Sequence, residues 1–569
     1  ILSLSLSSPP KQKNTTPLVS LSLPRPRQCG DDKSNSIRQC NNYKEEELEL
    51  EKEEFFYIYN IRRGRRRREA VFFLFRSMML RISSLKRARS PSYILLWLVA
   101  LSSLTLFVLY QADQFAGRIK TVAGHNLEPT PWHPFPQRTF NEESRHSRAY
   151  KIIQCSYLTC PYTSNESIAR EPGFRDASET KCPDFFGFIH RDLEPWSKTG
   201  VTREHIRRAK DLTAFRAVIS RGKLYLDIYY DCVQSRMMFT IWGLLQLLKR
   251  YPGMVPDVDM MFDCMDKPTV RRDEHGSFPL PLFRYCTTEH HFDIPFPDWS
   301  FWGWPEVNLR HWDVEFQDIK QGSQGQSWSK KWPRAFWKGN PYVESPVREQ
   351  LLQCNHSRKW GAQIMKQDWE QEAKAGFEKS KLSNQCDYRY KIYAEGYAWS
   401  VSLKYIVACG SVSLIISPQY EDFFSRGLVP KENYWPVSTD ELCNSIKFAV
   451  DWGNLHLSEA QKIGKGGQDF MESLSMDRVY DYMFHLIVEY SKLLDFKPVP
   501  PETALEVCPD SLLCLADPKK KEFLEASRAI PSPNPPCSLK LRNREFVEEW
   551  IQRKQKGLAD VRAMERQQA

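Results

Sequence analysis

The longest apolar stretch of the chain is the run 93–110, YILLWLVALSSLTLFVLY, which contains no charged residue. A helix of this length just spans a bilayer, and the run is longer than the apolar region typical of a cleaved signal peptide. The basic segment before it, RISSLKRARSPS, places the N-terminal side in the cytosol by the positive-inside rule. The pattern therefore predicts an uncleaved anchor, with the chain after residue 110 in a lumen or outside the cell.

Beyond residue 179 the apolar pattern alternates between short buried runs and amphipathic stretches. The predicted strands are 224–230, 258–266, 281–286, 334–339 and 411–416. The predicted helices are 235–250, 345–354, 399–408 and 458–494. Alternation of strands and helices in two blocks predicts an α/β fold with two doubly wound sheets that face a cleft.

Composition divides the chain into segments. The first Met is Met78, so residues 1–77 are interpreted as an untranslated leader, and the alternative is a cytosolic tail whose basic cluster at 62–68 binds nucleic acid or anionic lipid. The predicted segments are a tail at 1–92, the anchor at 93–110, a luminal stem rich in Pro and Ser at 111–178, two core domains at 179–330 and 331–495, and a C-terminal extension at 496–569.

Charge and cysteine usage fit this division. The net charge is +10, almost all of it before residue 93, so the folded part is nearly neutral and has no electrostatic footprint for nucleic acid. The chain has 15 cysteines without zinc-site spacing, and in an oxidising lumen several should pair, with at least one left over. Cys155 and Cys160 are predicted to close a small loop in the stem. The sequons at Asn165 and Asn355 are predicted glycosylation sites.

Candidate chemistry is sought beyond the carboxyl ends of the strands, where open α/β sheets bind ligands. Asp266 closes the predicted strand 258–266 and is a candidate general base, although a carboxylate there is also a common turn or cap residue. Asp257 and Asp259 form a DxD pattern, but they lie at the start of that strand and are interpreted as a turn. Arg348, in the first turn of a predicted helix, is a candidate phosphate ligand or an exposed helical arginine.

Taken together, the core resembles the Rumi-type protein O-glucosyltransferases of glycosyltransferase family 90, which also contains fungal capsule-associated xylosyltransferases. The resemblance covers about 182–495 and rests on ordered motifs: YDCVQSRMMFTIWGLLQLL, DVDMMFDCMDKPTV, PDWSFWGWPEV, RAFWKGN with SPVREQLL, and CDYRYKIYAEGYAWSVSLKYIVACGSVSLI. It implies a GT-B fold with two Rossmann-like domains, 179–330 for the acceptor and 331–495 for the UDP-sugar donor. It also implies an inverting, metal-independent transfer that uses no cofactor.

The resemblance assigns roles to particular residues. It places the family's catalytic base on Asp266, which would take the proton of the acceptor hydroxyl. The implied donor-binding residues are Lys338, Gly339, Asn340, Ser345, Arg348, Tyr397, Ala398, Trp399, Ser400, Val401 and Ser402. The chain departs from the family at Ser402, where the animal enzymes carry an arginine, and at Lys338, which replaces an arginine.

The resemblance also bears on disulfides and function. Cys386 and Cys409 match a family disulfide, and Cys232 matches half of another whose usual partner, a few residues on, is absent. The implied activity is transfer of glucose or xylose from a UDP-sugar to a protein Ser/Thr hydroxyl. The alternatives are transfer to a cell-wall or capsule polysaccharide, and an inactive sugar-binding luminal scaffold. The C-terminus ERQQA is not a retention signal, so a type II Golgi membrane protein is predicted, with the endoplasmic reticulum as the alternative.

Overall fold

The computed structural model describes Cys160 and residues 180–568 apart from 515 and 541–543, all within the compact unit Pro131–Ala569. The predicted anchor at 93–110, nearly all of the predicted stem and the sequon at Asn165 lie outside the described residues. Among the helices that are described, none is both long enough and apolar enough to cross a membrane.

The described strands form two separate sheets, one with the order β11-β2-β1-β3-β4-β5 and one with the order β10-β9-β8-β6-β7. The strands are β1 (Phe215–Ser220), β2 (Lys223–Ile228), β3 (Val258–Phe262), β4 (Phe283–Arg284), β5 (Ile294–Pro295), β6 (Trp332–Gly339), β7 (Ala362–Lys366), β8 (Tyr388–Tyr393), β9 (Val412–Ile416), β10 (Trp435–Val437) and β11 (Leu505–Val507). The prediction of a mixed α/β fold with two sheets is confirmed.

Helices pack against both sheets. They are α1 (Phe188–Asp192), α2 (Arg203–Ala209), α3 (Arg236–Arg250), α4 (Arg272–His275), α5 (Trp312–Gln324), α6 (Pro346–Gln353), α7 (Trp369–Lys374), α8 (Ser402–Ala408), α9 (Leu442–Leu455), α10 (Leu457–Ser473), α11 (Met476–Ser491), α12 (Pro509–Leu513), α13 (Pro518–Ala526) and α14 (Arg544–Gln568). The helices predicted at 235–250 and 345–354 are α3 and α6, within one residue at each end. The stretch predicted at 458–494 is broken into α10 and α11.

The second sheet is parallel throughout. Its strand β9, with the sequence VSLII, is buried at every position, as expected of a parallel strand that is covered on both faces. The carboxyl ends of all its strands therefore meet at one edge, which is where ligands bind in open α/β sheets.

The first sheet is mixed, so the prediction of a doubly wound parallel sheet is wrong for this half. β1 pairs antiparallel with both β2 and β3, and the parallel pairings are those of β3 with β4 and of β4 with β5. The reason is the two-residue turn Arg221–Gly222, in which both residues have positive φ angles (53° and 74°). Such a turn closes a tight hairpin and forces the strands on either side of it to be antiparallel.

The C-terminal segment, predicted as an extension, packs into this core. β11 pairs antiparallel with β2 at the edge of the first sheet. Helix α14 contributes Val547 to the hydrophobic cluster of the first sheet and Val561 to that of the second. A helix of 25 residues is long enough, at about 37 Å, to cross both halves of the core.

Five disulfides join described cysteines, and the predicted bond between Cys386 and Cys409 is among them. The predicted small loop between Cys155 and Cys160 is wrong, because Cys160 is bonded to Cys508. Cys232, which lacks the usual family partner, is bonded to Cys264 at a Cα–Cα distance of 5.8 Å. The other two bonds are Cys182–Cys537 and Cys354–Cys443. Cys286 is a free, buried thiol, which accounts for the expected leftover cysteine.

Candidate active site between the two sheets

Asp266 lies four residues beyond the end of β3 and is about one-quarter exposed, with a side-chain exposure of 23%. Its Oδ1 accepts a hydrogen bond of 2.6 Å from Nη1 of Arg236, the first residue of α3. The backbone carbonyl of Asp266 accepts a bond of 3.2 Å from the thiol of Cys286. The carboxylate is therefore held through Oδ1, while the rest of the group stays accessible to a substrate.

The donor loop, here defined as 397–402, follows the second sheet and contacts Lys267, the residue after Asp266. The ammonium of Lys267 lies 3.7 Å from the ring centroid of Tyr397. The indole of Trp399 packs edge-on against Trp299, with 6.2 Å between ring centroids, and at 5.6 Å from the ring of Tyr285. The structure thus places the candidate donor loop next to the segment that carries Asp266.

A buried ion pair holds the donor loop close to the segment that carries Trp299. Lys404 of α8, two residues past the donor loop, donates to Asp298 Oδ2 at 3.1 Å and to Ser300 Oγ at 2.7 Å. Burial lowers the pKa of Lys404, and the charge of Asp298 opposes that effect. A buried charge pair of this kind sets geometry more than it adds stability. It ties the helix after the donor loop to the segment that carries Trp299.

Arg348 is the central residue of the second sheet's side of the site. Its side chain is buried, and it is held only by neutral acceptors: Asn340 O at 2.8 Å, Ala394 O at 3.2 Å and Ser400 Oγ at 3.2 Å. Within the described residues no carboxylate lies at ion-pair distance from its guanidinium. Burial lowers the pKa of Arg348 to about 10, so the group is still a cation at neutral pH.

Neighbouring residues shape the space around Arg348. Ser345 caps α6 by accepting the Arg348 backbone N–H at 3.3 Å, and its hydroxyl donates to Glu395 O at 2.8 Å. A Cβ at Gly396 would lie 3.4 Å from Arg348 Nη2, so glycine leaves room beside the guanidinium. These contacts aim the arginine at the carboxyl edge of the sheet.

The donor loop itself is ordered by hydroxyl bonds. The hydroxyl of Ser400 accepts a hydrogen bond from the Arg348 guanidinium, and the backbone N–H of Ser400 donates to Tyr393 Oη at 3.0 Å. Ser402 begins α8 and lies 2.9 Å from Ser400, oxygen to oxygen. Ala398 and Trp399 are buried and Val401 is half-buried; the indole N–H of Trp399 has no hydrogen-bond partner among the described residues.

Lys338 is placed differently from its predicted role. Its ammonium forms an ion pair of 2.8 Å with Glu372 and donates to Lys379 O at 2.5 Å, so its charge is already partnered. The next residue, Gly339, ends β6, and a Cβ there would lie 2.6 Å from the ring of Trp337. Asn340 accepts the backbone N–H of Tyr342 through its side chain at 2.9 Å. The segment 338–340 contributes the backbone carbonyl of Asn340 to the site, whereas the side chain of Lys338 holds the segment in place through Glu372 and Lys379.

Glu395, just before the donor loop, was not anticipated from the sequence. Its carboxylate accepts the backbone N–H groups of Gln419 and Tyr420 at 3.1 and 2.9 Å. Burial raises the pKa of Glu395 to about 7, and these two N–H groups and the charge of Arg348 oppose the rise. A carboxyl group that titrates near neutral pH beside the cation is therefore part of the site.

A cavity of about 280 Å³ adjoins the donor loop at the carboxyl ends of β8, β9 and β10. Tyr393 and Trp399 line it on the loop side, and Lys554 of α14 lines it on the other. Lys554 Nζ lies 3.8 Å from Glu421 Oε1, and burial lowers the pKa of Lys554. The helix α14 thus completes a polar and aromatic chamber next to the donor loop.

The DxD pattern lies away from this edge. Asp259 is buried and forms a two-pronged ion pair with Arg216, while Asp257 accepts the backbone N–H of Arg221 at 2.7 Å. Both sit at the amino end of β3, whereas Asp266 follows its carboxyl end. The interpretation as turn residues fits Asp257, which accepts from the hairpin residue Arg221, and is wrong for Asp259, which lies within β3 and pairs with Arg216 of β1.

Asn355, the one sequon in the described residues, is exposed. Its Oδ1 accepts the backbone N–H of Ile364 at 2.9 Å, which holds the amide at the surface. The position is sterically open to a glycan.

Comparison with known proteins identifies a family that the chain matches. The model of glycosyl transferase family 90 matches residues 177–565. The chain is 28% identical over 357 residues to "Protein O-glucosyltransferase 1" of Bos taurus, covering 57% of this chain and 90% of that protein. It is 27% identical over 342 residues to the Homo sapiens protein of the same name, covering 57% and 83%. It is 25% identical over 366 residues to "O-glucosyltransferase rumi" of Drosophila melanogaster, covering 62% and 85%.

Proposed function

The chain belongs to glycosyltransferase family 90, and on that premise we propose that it moves glucose or xylose from a UDP-sugar to a serine or threonine hydroxyl of a protein. The names of the relatives, protein O-glucosyltransferases, support a protein acceptor and a glucosyl donor. The observation that carries the proposal is Arg348, a buried cation whose hydrogen-bond acceptors among the described residues are all neutral and whose one charged neighbour, Glu395, titrates near neutral pH. A buried charge that makes no ion pair is costly, and a bound diphosphate would supply a full counter-ion.

The donor is proposed to lie along the carboxyl edge of the second sheet. Its diphosphate meets Arg348 and the hydroxyl of Ser400, and its nucleoside enters the adjoining cavity beside Tyr393 and Trp399. This arrangement, with donor and acceptor on facing halves, corresponds to a GT-B organisation. It is supported by the parallel second sheet and by the contacts of the donor loop with Trp299 and Tyr285.

In the proposed reaction Asp266 accepts the proton of the acceptor hydroxyl as that oxygen attacks the anomeric carbon. The bond between the anomeric carbon and the phosphate oxygen breaks, and UDP leaves with the electron pair. Arg348 stabilises the negative charge that develops on the leaving diphosphate, a role suited to a preorganised buried cation. Attack from the face opposite UDP inverts the anomeric centre, and no metal or cofactor takes part.

Acceptor class is tested by labelling. The chain is incubated with a secreted-protein fraction, a cell-wall polysaccharide fraction and UDP-[¹⁴C]glucose or UDP-[¹⁴C]xylose. Label in proteins, released by β-elimination from Ser or Thr, is the expected result. Label confined to polysaccharide would overturn the protein acceptor and favour the cell-wall alternative. If neither fraction is labelled although the chain binds UDP, the result would favour the alternative of an inactive sugar-binding scaffold.

We also propose a type II protein of the Golgi membrane, held by the segment at 93–110 with its catalytic part in the lumen. Five disulfides among the described cysteines support an oxidising compartment. Asn355, exposed and in a sequon, supports the same side of the membrane. Sensitivity of the expressed chain to a peptide N-glycosidase tests this, and an unglycosylated, fully reduced chain in cells would contradict it.

Donor affinity is expected to rise as the pH falls from 8 to 6. Among the described residues, Arg348 and the backbone N–H groups of Gln419 and Tyr420 act on the Glu395 carboxyl group. The phenols of Tyr393 and Tyr420 also interact with it, and their raised pKa values keep them neutral in this range. A diphosphate bound at Arg348 repels ionised Glu395, so binding favours the protonated form and takes up a proton near neutral pH. A further rise of one-half to one pKa unit corresponds to a gain of roughly 3- to 10-fold.

The measurement is the dissociation constant of a UDP-sugar by calorimetry at pH 6, 7 and 8, in buffers of different ionisation enthalpy. In a Glu395→Gln variant the affinity should be independent of pH and the proton uptake should vanish. The same pH dependence in the variant and the parent would exclude Glu395 as its source.

A further inference from the structure

We propose that Arg236 is the positioning residue for Asp266, fixing one oxygen of the carboxylate so that the other faces the acceptor hydroxyl. This rests on the proposed role of Asp266 as the base. Arg236 lies 30 positions before Asp266 and belongs to α3, and neither the family comparison nor the sequence assigns it a role.

The contact between the two residues is short and sheltered. Arg236 Nη1 donates to Asp266 Oδ1 at 2.6 Å and to Cys264 O at 3.3 Å, and its side chain is only 8% exposed. The second oxygen, Asp266 Oδ2, accepts no hydrogen bond from the described residues. Because Oδ1 is committed to Arg236, Oδ2 is the oxygen left to receive the acceptor's proton.

The guanidinium is itself fixed in place. Its central carbon lies 4.4 Å from the ring centroid of Trp299, the residue whose indole touches the donor loop. The disulfide Cys232–Cys264 ties the segment before α3 to the segment before Asp266. Ser235, just before Arg236, donates to Glu306 Oε2 at 2.8 Å. An arginine that must turn freely to bind a substrate would not be packed in this way.

This arrangement restricts the rotation of the Asp266 side chain. A carboxylate tethered through one oxygen keeps the other within a narrow arc, and misplacement of a reacting group by about 1 Å can cost on the order of 100-fold in rate. Loss of the tether should therefore lower kcat without changing how the donor binds on the opposite sheet.

The test compares Arg236→Met and Arg236→Lys with Arg250→Met in the full chain. Arg250 is a matched control on the same helix: it is also buried, and it pairs with Asp477 at 2.7 Å and with Ile530 O at 3.0 Å, away from the site. We expect kcat to fall about 100-fold in Arg236→Met, with donor dissociation constants within about twofold of the parent. Arg236→Lys keeps the charge and should recover about 10-fold of the loss. Arg250→Met should keep the parent's kcat.

Two further readouts separate positioning from a structural role. In an Asp266→Asn background, Arg236→Met should cause little additional loss of kcat, because both changes act on one unit. In crystal structures, the Asp266 carboxylate should turn away from its parent position in Arg236→Met and keep it in Arg250→Met.

Several outcomes would overturn the proposal: equal kcat losses in the two Met variants, a loss explained by weaker donor binding, additive losses in the Asn background, or an unmoved Asp266 in the Arg236→Met crystal structure. The crystallographic result does not depend on turnover. A parent chain that transfers no sugar would instead count against the proposed function.

Discussion

Replacing Asp266 by asparagine is expected to lower kcat for sugar transfer by about 10²- to 10⁴-fold, the usual contribution of a positioned general base. Asparagine keeps the shape of the side chain and can still accept a bond from Arg236, but it cannot take the acceptor's proton. The dissociation constant of the UDP-sugar should stay within about twofold of the parent, because the proposed donor contacts lie on the second sheet. Initial rates and donor binding measured on the same preparation check both expectations.

Asp257→Asn is the matched control for this variant. Asp257 lies at the other end of β3 and accepts only the backbone N–H of Arg221 among described partners, a bond that an asparagine oxygen can also accept. It should keep the parent's activity, with and without EDTA. Equal residual turnover in Asp266→Asn and the parent would contradict the assignment of the base. Loss of activity in Asp257→Asn together with a manganese requirement would indicate a metal enzyme built on the DxD pattern.

Replacing Arg348 should have the second large effect, because it removes the proposed counter-ion of the diphosphate. We expect Arg348→Met to lower kcat/KM by about 10²- to 10³-fold, the usual cost of losing one preorganised donor to developing charge. Arg348→Lys should lose nearly as much, since the three N–H groups of a lysine would all be used by Asn340, Ala394 and Ser400, whereas the five of the guanidinium leave one for a phosphate. The melting temperature should change little, because the burial of a charge that makes no ion pair is itself destabilising.

Arg389 offers a comparison for Arg348. It too is held by neutral acceptors among the described residues, Ser329 O at 2.8 Å and Asn454 Oδ1 at 3.0 Å, but it lies at the amino end of β8. Arg389→Met should leave kcat/KM at the parent's value and lower the melting temperature. If Arg348→Met lost stability and kept its affinity for UDP-sugar, Arg348 would be a structural residue.

Elements with strong local patterns could be predicted from the sequence. α3 has an apolar face over four turns and a Pro-Gly stop soon after it, and β9 is a short apolar run after a glycine. Asp266 and Arg348 could be selected as candidates because each follows or begins such an element at the edge where ligands bind. For these residues local sequence and global fold agree.

What could not be predicted depends on tertiary contacts. β11 has three residues in a Pro-rich stretch and forms only because β2 offers an edge. Lys338 is neutralised by Glu372, which lies 34 positions away, and the pairing of Cys232 with Cys264 joins residues 32 positions apart. Arg236 gave no signal of its own, since a basic residue at the start of a helix is common and its partner is remote in sequence.

The most direct measurement is UDP release by the parent chain and Asp266→Asn across a panel of UDP-sugars in EDTA, with an acceptor protein fraction present. Turnover of UDP-glucose or UDP-xylose by the parent, at least about 10²-fold slower in the variant, is the expected result. Equal rates in the two proteins, or turnover that appears only when manganese is added, would contradict a metal-independent transfer that uses Asp266 as its base.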